Sequence, residues 1–264
     1  MGQVGSNRAK KDAKAITKKS VQATKIERAK ATGILSLHGC KLKRIPDDVF
    51  GIEKLNTLDL SNNELTEIPA AIGQLINLKT LKLDSNQLSS LPDLSALTKL
   101  TNLVLDNNKL ATLQALPMGL TKLSARNNQL LALPPTLCCL SQLESVDVSQ
   151  NQISSIPSAI ASCSSLKELT LDDNRIAQLP DALAQCPKLK ALVVRRNRLG
   201  PQSIAASILA ASAVHIMQLE GNPMSKFDLE AMDGVDAFLL RRKELKDKEL
   251  HGGLNTDVTL CGLD

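Results

Sequence analysis

The sequence predicts an α/β solenoid: a horseshoe of about nine coils, with a parallel sheet on the concave side and a helical cap at each end. Three observations predict it. One pattern, L-x-x-L-x-L-x-x-N-x-L, recurs from Thr32 to Met224 and is usually followed by x-x-L-P. Its marker residues, Cys40, Asn63, Asn86, Asn108, Asn128, Asn151, Asn174, Asn197 and Asn222, are 23, 23, 22, 20, 23, 23, 23 and 25 residues apart. Finally, 43% of the chain is hydrophobic yet there is no Trp, no Tyr and only three Phe, so aliphatic side chains must fill a core built of thin layers.

Each part of the unit has a physical task. The L-x-L step is a short strand that sends its leucines inward and the residues between them outward, and successive copies align as a parallel sheet. The Asn that follows leaves the strand direction, and its buried amide can bond backbone groups of its own turn and of the next coil, so stacked copies form a ladder. The L-P step ends strand pairing, because Pro lacks the donor that a ladder or helix interior needs, and it starts a convex return segment. Return residues Ile52, Leu75, Leu97, Pro117, Leu140, Cys163 and Cys186 form one inward column; Val49, Ile72, Leu94, Ile160 and Leu183 form another. Cys163 and Cys186 thus read as small buried hydrophobes, while Cys139 reads as an exposed thiol. The 20-residue interval should flatten the convex side, and the last one makes room for a helix from about Pro201 to Ser212.

Both ends of such an array need closing. Residues 1–31 are read as a basic tail and capping helix with Ile16, Ala23 and Ile26 facing the first coil, 32–225 as the array, and 226–264 as a helical cap and flexible tail. Met224, Phe227, Leu229, Met232, Val235, Phe238 and Leu239 are the expected apolar face of that second cap.

The unit resembles the intracellular leucine-rich repeats of the Shoc2 and Ras-group type. It is closest to the family of leucine-rich repeat-containing protein 57 and its plant relatives, which are also short and start with Met-Gly. They end the array with a segment like Glu220-Gly221-Asn222-Pro223, then Met232-Asp233-Gly234-Val235-Asp236 and the basic run Arg241-Arg242-Lys243. The likeness covers almost the whole chain and implies a leucine-rich-repeat horseshoe with an intracellular signalling or scaffold role. The plant members carry Cys directly after Met-Gly, for a second lipid, where Gln3 and Val4 stand here.

Charge is uneven. Residues 1–30 hold nine Lys/Arg against Asp12 and Glu27, so the overall +5 belongs to this tail and the rest of the chain carries −2. Met1-Gly2-Gln3-Val4-Gly5-Ser6 fits the N-myristoylation pattern M-G-x-x-x-[ST]. Gly2 is therefore the candidate lipidation site, and Arg8, Lys10, Lys11, Lys14, Lys18 and Lys19 are the candidate membrane-binding residues. No stretch reaches the roughly 18 to 20 apolar residues of a membrane span, and the start is too basic for a signal peptide. With no CxxC pair, no clustered flanking cysteines and no N-x-S/T sequon, a reducing cytoplasmic setting is expected, at the cytoplasmic face of a membrane.

The concave face is the expected protein-binding surface, with Asp59, Lys82, Asp84, Asp106, Arg126, Asp147, Asp172 and Arg195 as its candidate residues and an unidentified protein as the partner. Asp84 and Asp106 occupy equivalent places in adjacent coils, about 5 Å apart at one strand spacing. No phosphate-cradling glycine loop, nucleophile set or metal spacing among His38, His215 and His251 is present, so no enzyme, metal or cofactor is expected. The reading is a monomeric scaffold held at an anionic membrane surface. Two others stay open: a soluble regulatory subunit for a phosphatase or small GTPase, and a nucleic-acid binder acting through its tail. Against the last, the repeat face offers no aromatic rings for base stacking.

Overall fold

A computed structural model describes residues 21–250 and 261–263. The nine repeats give nine parallel strands in one sheet, paired in chain order: β1 (Ile34–Ser36), β2 (Thr57–Asp59), β3 (Thr80–Lys82), β4 (Asn102–Val104), β5 (Lys122–Ser124), β6 (Ser145–Asp147), β7 (Glu168–Thr170), β8 (Ala191–Val193) and β9 (Ile216–Gln218). The register keeps equivalent positions level, so Leu35, Leu58, Leu81 and Leu103 stack directly. All four are buried.

Strands stop after three residues because the chain turns sharply just before each Asn. The residue there adopts a left-handed φ: Asn62, Ser85, Asn107, Asn127, Gln150, Asp173 and Arg196, between 49° and 58°, with Gly221 in the last coil. Asn and Asp tolerate this region and Gly meets no side-chain penalty in it. The turn presents the next side chain inward and the ladder forms, although each Asn reaches back to the preceding coil and not forward to the next as the sequence suggested. Asn151 donates from Nδ2 to the carbonyls of Ala125 (2.9 Å), Val148 (2.9 Å) and Ser149 (3.1 Å), while its Oδ1 accepts from Leu130 N (2.9 Å). One amide thus serves two coils.

On the convex side, Pro46, Pro69, Pro134, Pro157 and Pro180 are each extended and each precede a short 3-10 turn. The coils that start at β3 and β4 have none, which fits the short interval between Asn108 and Asn128. The two return columns read from the sequence are buried throughout. The expected helix from Pro201 is shorter, Ala206–Ala211 (α2). Ahead of it Gln202 turns with φ 63°, and Ile204 pairs with Leu179 on the return side. Those residues prolong the convex ladder instead of coiling.

At the N-terminal end residues 21–32 are helical (α1). Ile26 and Ala29 are buried on the first coil, but Ala23, one turn before Ile26, is exposed. Ile16 lies outside the described residues. Gly33 ends α1 at φ 71°, its amide bonded to Ala29 O at 2.8 Å. A Cβ there would come within 2.6 Å of both Asn56 Nδ2 and Lys54 O, so Gly is required where the helix meets the sheet.

The C-terminal cap comprises α3 (Lys226–Glu230) and α4 (Val235–Leu250). Ser225 and Asp228 form a capping box that starts α3. Met224, Leu229, Val235 and Phe238 are buried as expected, whereas Phe227 is 80% exposed, because a helix this short has one inward face and Leu229 takes it. Arg241 on α4 donates to the carbonyls of Leu209 (2.6 Å), Val214 (3.1 Å), Ile208 and Ala210 (both 3.3 Å). It caps the carbonyl end of α2, so this part of the basic run is structural.

The segment after α4 was expected to be a loose tail, but residues 261–263 return to the sheet. Cys261 and Leu263 are buried, Gly262 sits beside Glu220 with φ 74°, and Leu219 N donates to Cys261 O at 2.8 Å.

Candidate functional site

The nine strands expose one concave surface about 40 Å long, at ~4.8 Å per strand. Its side chains come from the first and third strand residues and from the position two beyond the third. What the sequence could not show is which of these point to solvent unpaired.

Most of the predicted acids are engaged. Asp59 Oδ1 accepts from Ser61 N (3.0 Å) and Ser61 Oγ, and Ser61 Oγ lies 2.8 Å from His38 Nδ1. The serine proton goes to the carboxylate, so His38 must be the donor to the serine oxygen. Asp147 repeats the motif, accepting from Ser149 N (3.0 Å) and Oγ (2.6 Å). Asp106 Oδ1 accepts from Ser124 Oγ (2.6 Å) and Arg126 N (2.8 Å) in the next coil. Ser61 and Ser149 are nearly buried, at 5% and 3% exposure.

Asp172 departs furthest from expectation. It is 4% exposed and its carboxylate is held by Arg195: N to Oδ1 at 2.7 Å, Nε and Nη2 to Oδ2 at 2.9 and 2.6 Å. Next to it Arg196 makes a second two-pronged pair with Asp173. Its guanidinium holds the Asp173 carboxyl below the usual range, and hydrogen bonds to the carboxylates raise both arginines. These paired charges lock coil 7 to coil 8 and leave Asp172 no free face for a partner.

Lys82 and Asp84 remain open. Lys82 is exposed with no ion pair among the described residues, and Asp84 is half-buried with no side-chain partner among them. Burial raises the Asp84 carboxyl above 3.8, and Asp106 and then Asp59 add to that. The charge of Asp106, at the equivalent place one coil on, thus acts on Asp84 together with burial. Arg126 Nε is 3.7 Å from Asp147 Oδ2, a loose contact on a half-exposed side chain. Lys122 is exposed on β5, in the same coil as Arg126. An acidic stretch over coils 2–4 therefore borders a basic one in coil 5.

Sequence reading missed two features of this surface. Ile34 (57% exposed) and Ile216 (39%) mark its two ends with uncovered aliphatic side chains. At the N-terminal end Lys25, Arg28, Thr32, Ile34 and Ser36 line a shallow pocket of about 370 Å³; the three-and-four spacing of 21, 25, 28 and 32 was the available signal.

Gly2, Arg8, Lys10, Lys11, Lys14, Lys18 and Lys19 lie outside the described residues, as does His251. Among the described residues no group of three or more His, Cys, Asp or Glu could hold a metal ion, and no helix is long and apolar enough to cross a membrane.

Comparison with known proteins follows the same outline. A family model described as leucine rich repeat matches residues 33–88, 118–176 and 141–199, more than half of the chain. A second, described as leucine rich repeats in two copies, matches 76–118. Among solved structures, a leucine-rich repeat protein of Leptospira interrogans is 28% identical over 78% of this chain and 58% of its own, with TM-score 0.61. An internalin of Listeria monocytogenes (24% identity, 76% and 58% coverage, TM-score 0.66) shares the fold. The ectodomain of the membrane receptor kinase GASSHO1/SCHENGEN3 of Arabidopsis thaliana, in complex with Casparian strip integrity factor 2, is 29% identical over 69% of this chain and 23% of that one, with TM-score 0.59. This chain spans 58% of the first two structures and less of the third. No curated protein matches it.

Proposed function

Since the chain belongs to the leucine rich repeat family, whose members are typically non-enzymatic interaction modules, we propose that it is a protein-binding scaffold that presents its concave sheet to a protein partner while its N-terminal segment holds it at the cytoplasmic face of a membrane. One observation carries the first half. Across the concave face most charges are satisfied within the array, yet Lys82 and Asp84 in coil 3 and Lys122 in coil 5 make no ion pair within 4 Å among the described residues. Unpaired charges of opposite sign side by side give a partner both register and selectivity. The receptor kinase ectodomain, solved in complex with Casparian strip integrity factor 2, supports partner binding by an array of this kind.

The second half rests on Gly2 and the basic residues of the tail. A single myristoyl chain binds bilayers with an association constant of only about 10⁴ M⁻¹, so a second signal is needed. Each Lys or Arg near an anionic surface adds about 1 kcal/mol. Four such residues, for instance Arg8, Lys10, Lys11 and Lys14, would strengthen binding roughly a thousandfold. The likeness to intracellular repeats of the Shoc2 and Ras-group type supports a signalling role there.

The test is fractionation of cells expressing Gly2→Ala, or Lys/Arg→Gln across residues 8–19 with Gly2 intact. Both should shift the protein from membranes to cytosol. Wild-type membrane association of Gly2→Ala would contradict the acyl anchor, and a wild type found wholly in the cytosol would favour a soluble regulatory subunit of a phosphatase or small GTPase.

A further inference from the structure

We propose that the pocket at the N-terminal end, lined by Lys25, Arg28, Thr32, Ile34 and Ser36, receives the phosphate headgroup of an anionic phospholipid. The proposal deepens the membrane reading above and rests on it. It concerns a folded surface of the array itself, beyond the tail and its acyl chain.

The geometry begins with α1. Val21, Lys25, Arg28 and Thr32 are four, three and four residues apart, so they form one stripe along the helix, roughly a quarter turn from the buried Ile26 and Ala29. Burial of that second face on coil 1 fixes the first face beside the sheet, where β1 adds Ile34 and Ser36 to complete the pocket. Lys18 and Lys14 continue the same spacing in sequence.

The chemistry of the lining fits a phosphate ester. Neither Lys25 nor Arg28 has an ion-pair partner among the described residues, although Lys30 on the same helix is paired to Glu27 at 2.6 Å. Arg offers a planar fork to two phosphate oxygens and Lys a compact charge. The Thr32 hydroxyl donates to Arg28 O at 3.1 Å and accepts from Ile34 N, which leaves Ser36 as the hydroxyl with no side-chain hydrogen bond among the described residues to compete for an anion.

The apolar rim chooses a bilayer over a soluble phosphate. Val21 is 51% exposed and Ile34 57% exposed, one at each end of the cationic pair. A dissolved anion gains nothing from two uncovered aliphatic side chains. At a bilayer the same side chains enter the boundary between headgroups and acyl chains while the cations meet the phosphates. Binding by this end of the solenoid would leave the concave residues of coils 3–5 open to a protein.

The assay uses the full chain carrying Gly2→Ala, so acylation plays no part, and vesicles of phosphatidylcholine with or without about one-fifth phosphatidylserine. Binding to the mixed vesicles alone is expected. Lys25→Ser with Arg28→Ser should weaken it roughly thirtyfold, from about fivefold per cation, and Ile34→Ser should weaken it further, with thermal midpoints unchanged. Lys188→Ser with Lys190→Ser, an equal loss of charge on the exposed surface of coil 8, should change it little. Three results would overturn the proposal: wild-type binding by the Lys25/Arg28 variant, an equal loss in the Lys188/Lys190 variant, or full displacement by millimolar inorganic phosphate at matched ionic strength, which would mark a site for the free anion. Failure of Gly2→Ala to leave membranes in cells would remove the acyl anchor and leave this result standing.

Discussion

Leu219 donates its backbone amide to the carbonyl of Cys261 at 2.8 Å, and so the last coil of the array is completed by a segment from beyond α4. The bond continues a series. Leu60 N donates to Lys82 O, Leu171 N to Val193 O, and Val194 N to Gln218 O, each from one coil to the next. Cys261 takes the place that a tenth strand would fill. A solenoid edge is otherwise a row of unpaired backbone groups, and short covering segments blunt it.

Deleting residues 259–264 should therefore destabilise the fold by about 2 to 4 kcal/mol, the scale of losing two buried side chains and uncovering their neighbours. Urea denaturation measures the change, and hydrogen exchange locates it. The Leu219 amide should lose protection while Leu60 keeps it; unchanged protection at Leu219 would contradict the closure.

Asn151→Ala should cost about 1 to 3 kcal/mol, because the Leu130 amide and the Ala125 and Val148 carbonyls lose a buried partner. The fitting control is Ser154→Ala, since Ser154 is exposed, whereas Ser149 donates to Asp147 and would not be neutral. Equal unfolding midpoints for the two variants would refute the ladder's role.

Asp84→Asn should raise the thermal midpoint at neutral pH. The folded carboxyl titrates above its ordinary 3.8, first through burial and then through Asp106 and Asp59, so its ionised form opposes folding. That opposition is complete above the folded pKa and fades as pH falls through it toward 3.8. The gain from the substitution should accordingly shrink on acidification and be lost only well below 3.8, where both states are protonated. A gain independent of pH would point to packing instead.

Native alkylation should label Cys139 first, because it is exposed. Burial pushes the Cys163 thiol up to about 12 and Cys186 up to about 11, which removes the reactive thiolate at neutral pH. Mass spectrometry should find these two unmodified until the chain is unfolded. Early labelling of Cys163 would mean that the convex side opens locally.

The array was legible because its unit repeats, and repetition fixes register: the Asn ladder, the return columns and the sheet order all follow from where the marker residues fall. Features that occur once were not legible. Cys261 and Leu263 look like part of a polar tail, and only the unfilled edge at Leu219 gives them a role. Phe227 reads as part of the cap's apolar face, yet the capping box between Ser225 and Asp228 sets a helix phase that turns it outward. On the concave face, alternation shows which side chains leave the core but not what they meet. Asp84 and Asp172 sit at equivalent strand positions, and only the residue one coil on, Asp106 or Arg195, decides that the first is open and the second closed.

The central claim is that the concave sheet is the partner surface, and affinity capture with wild-type, concave-variant and control baits tests it most directly. Asp84→Lys with Lys122→Glu reverses two charges with no ion-pair partner among the described residues, whereas reversing Asp106 would break its bonds to Ser124 and Arg126. Glu53→Lys with Glu67→Lys, exposed on return segments, is the control. Proteins captured by the wild type should be lost from the concave variant by about tenfold or more, since reversed charge places like beside like, and kept by the control. Capture retained by the concave variant and lost by the control would contradict the account.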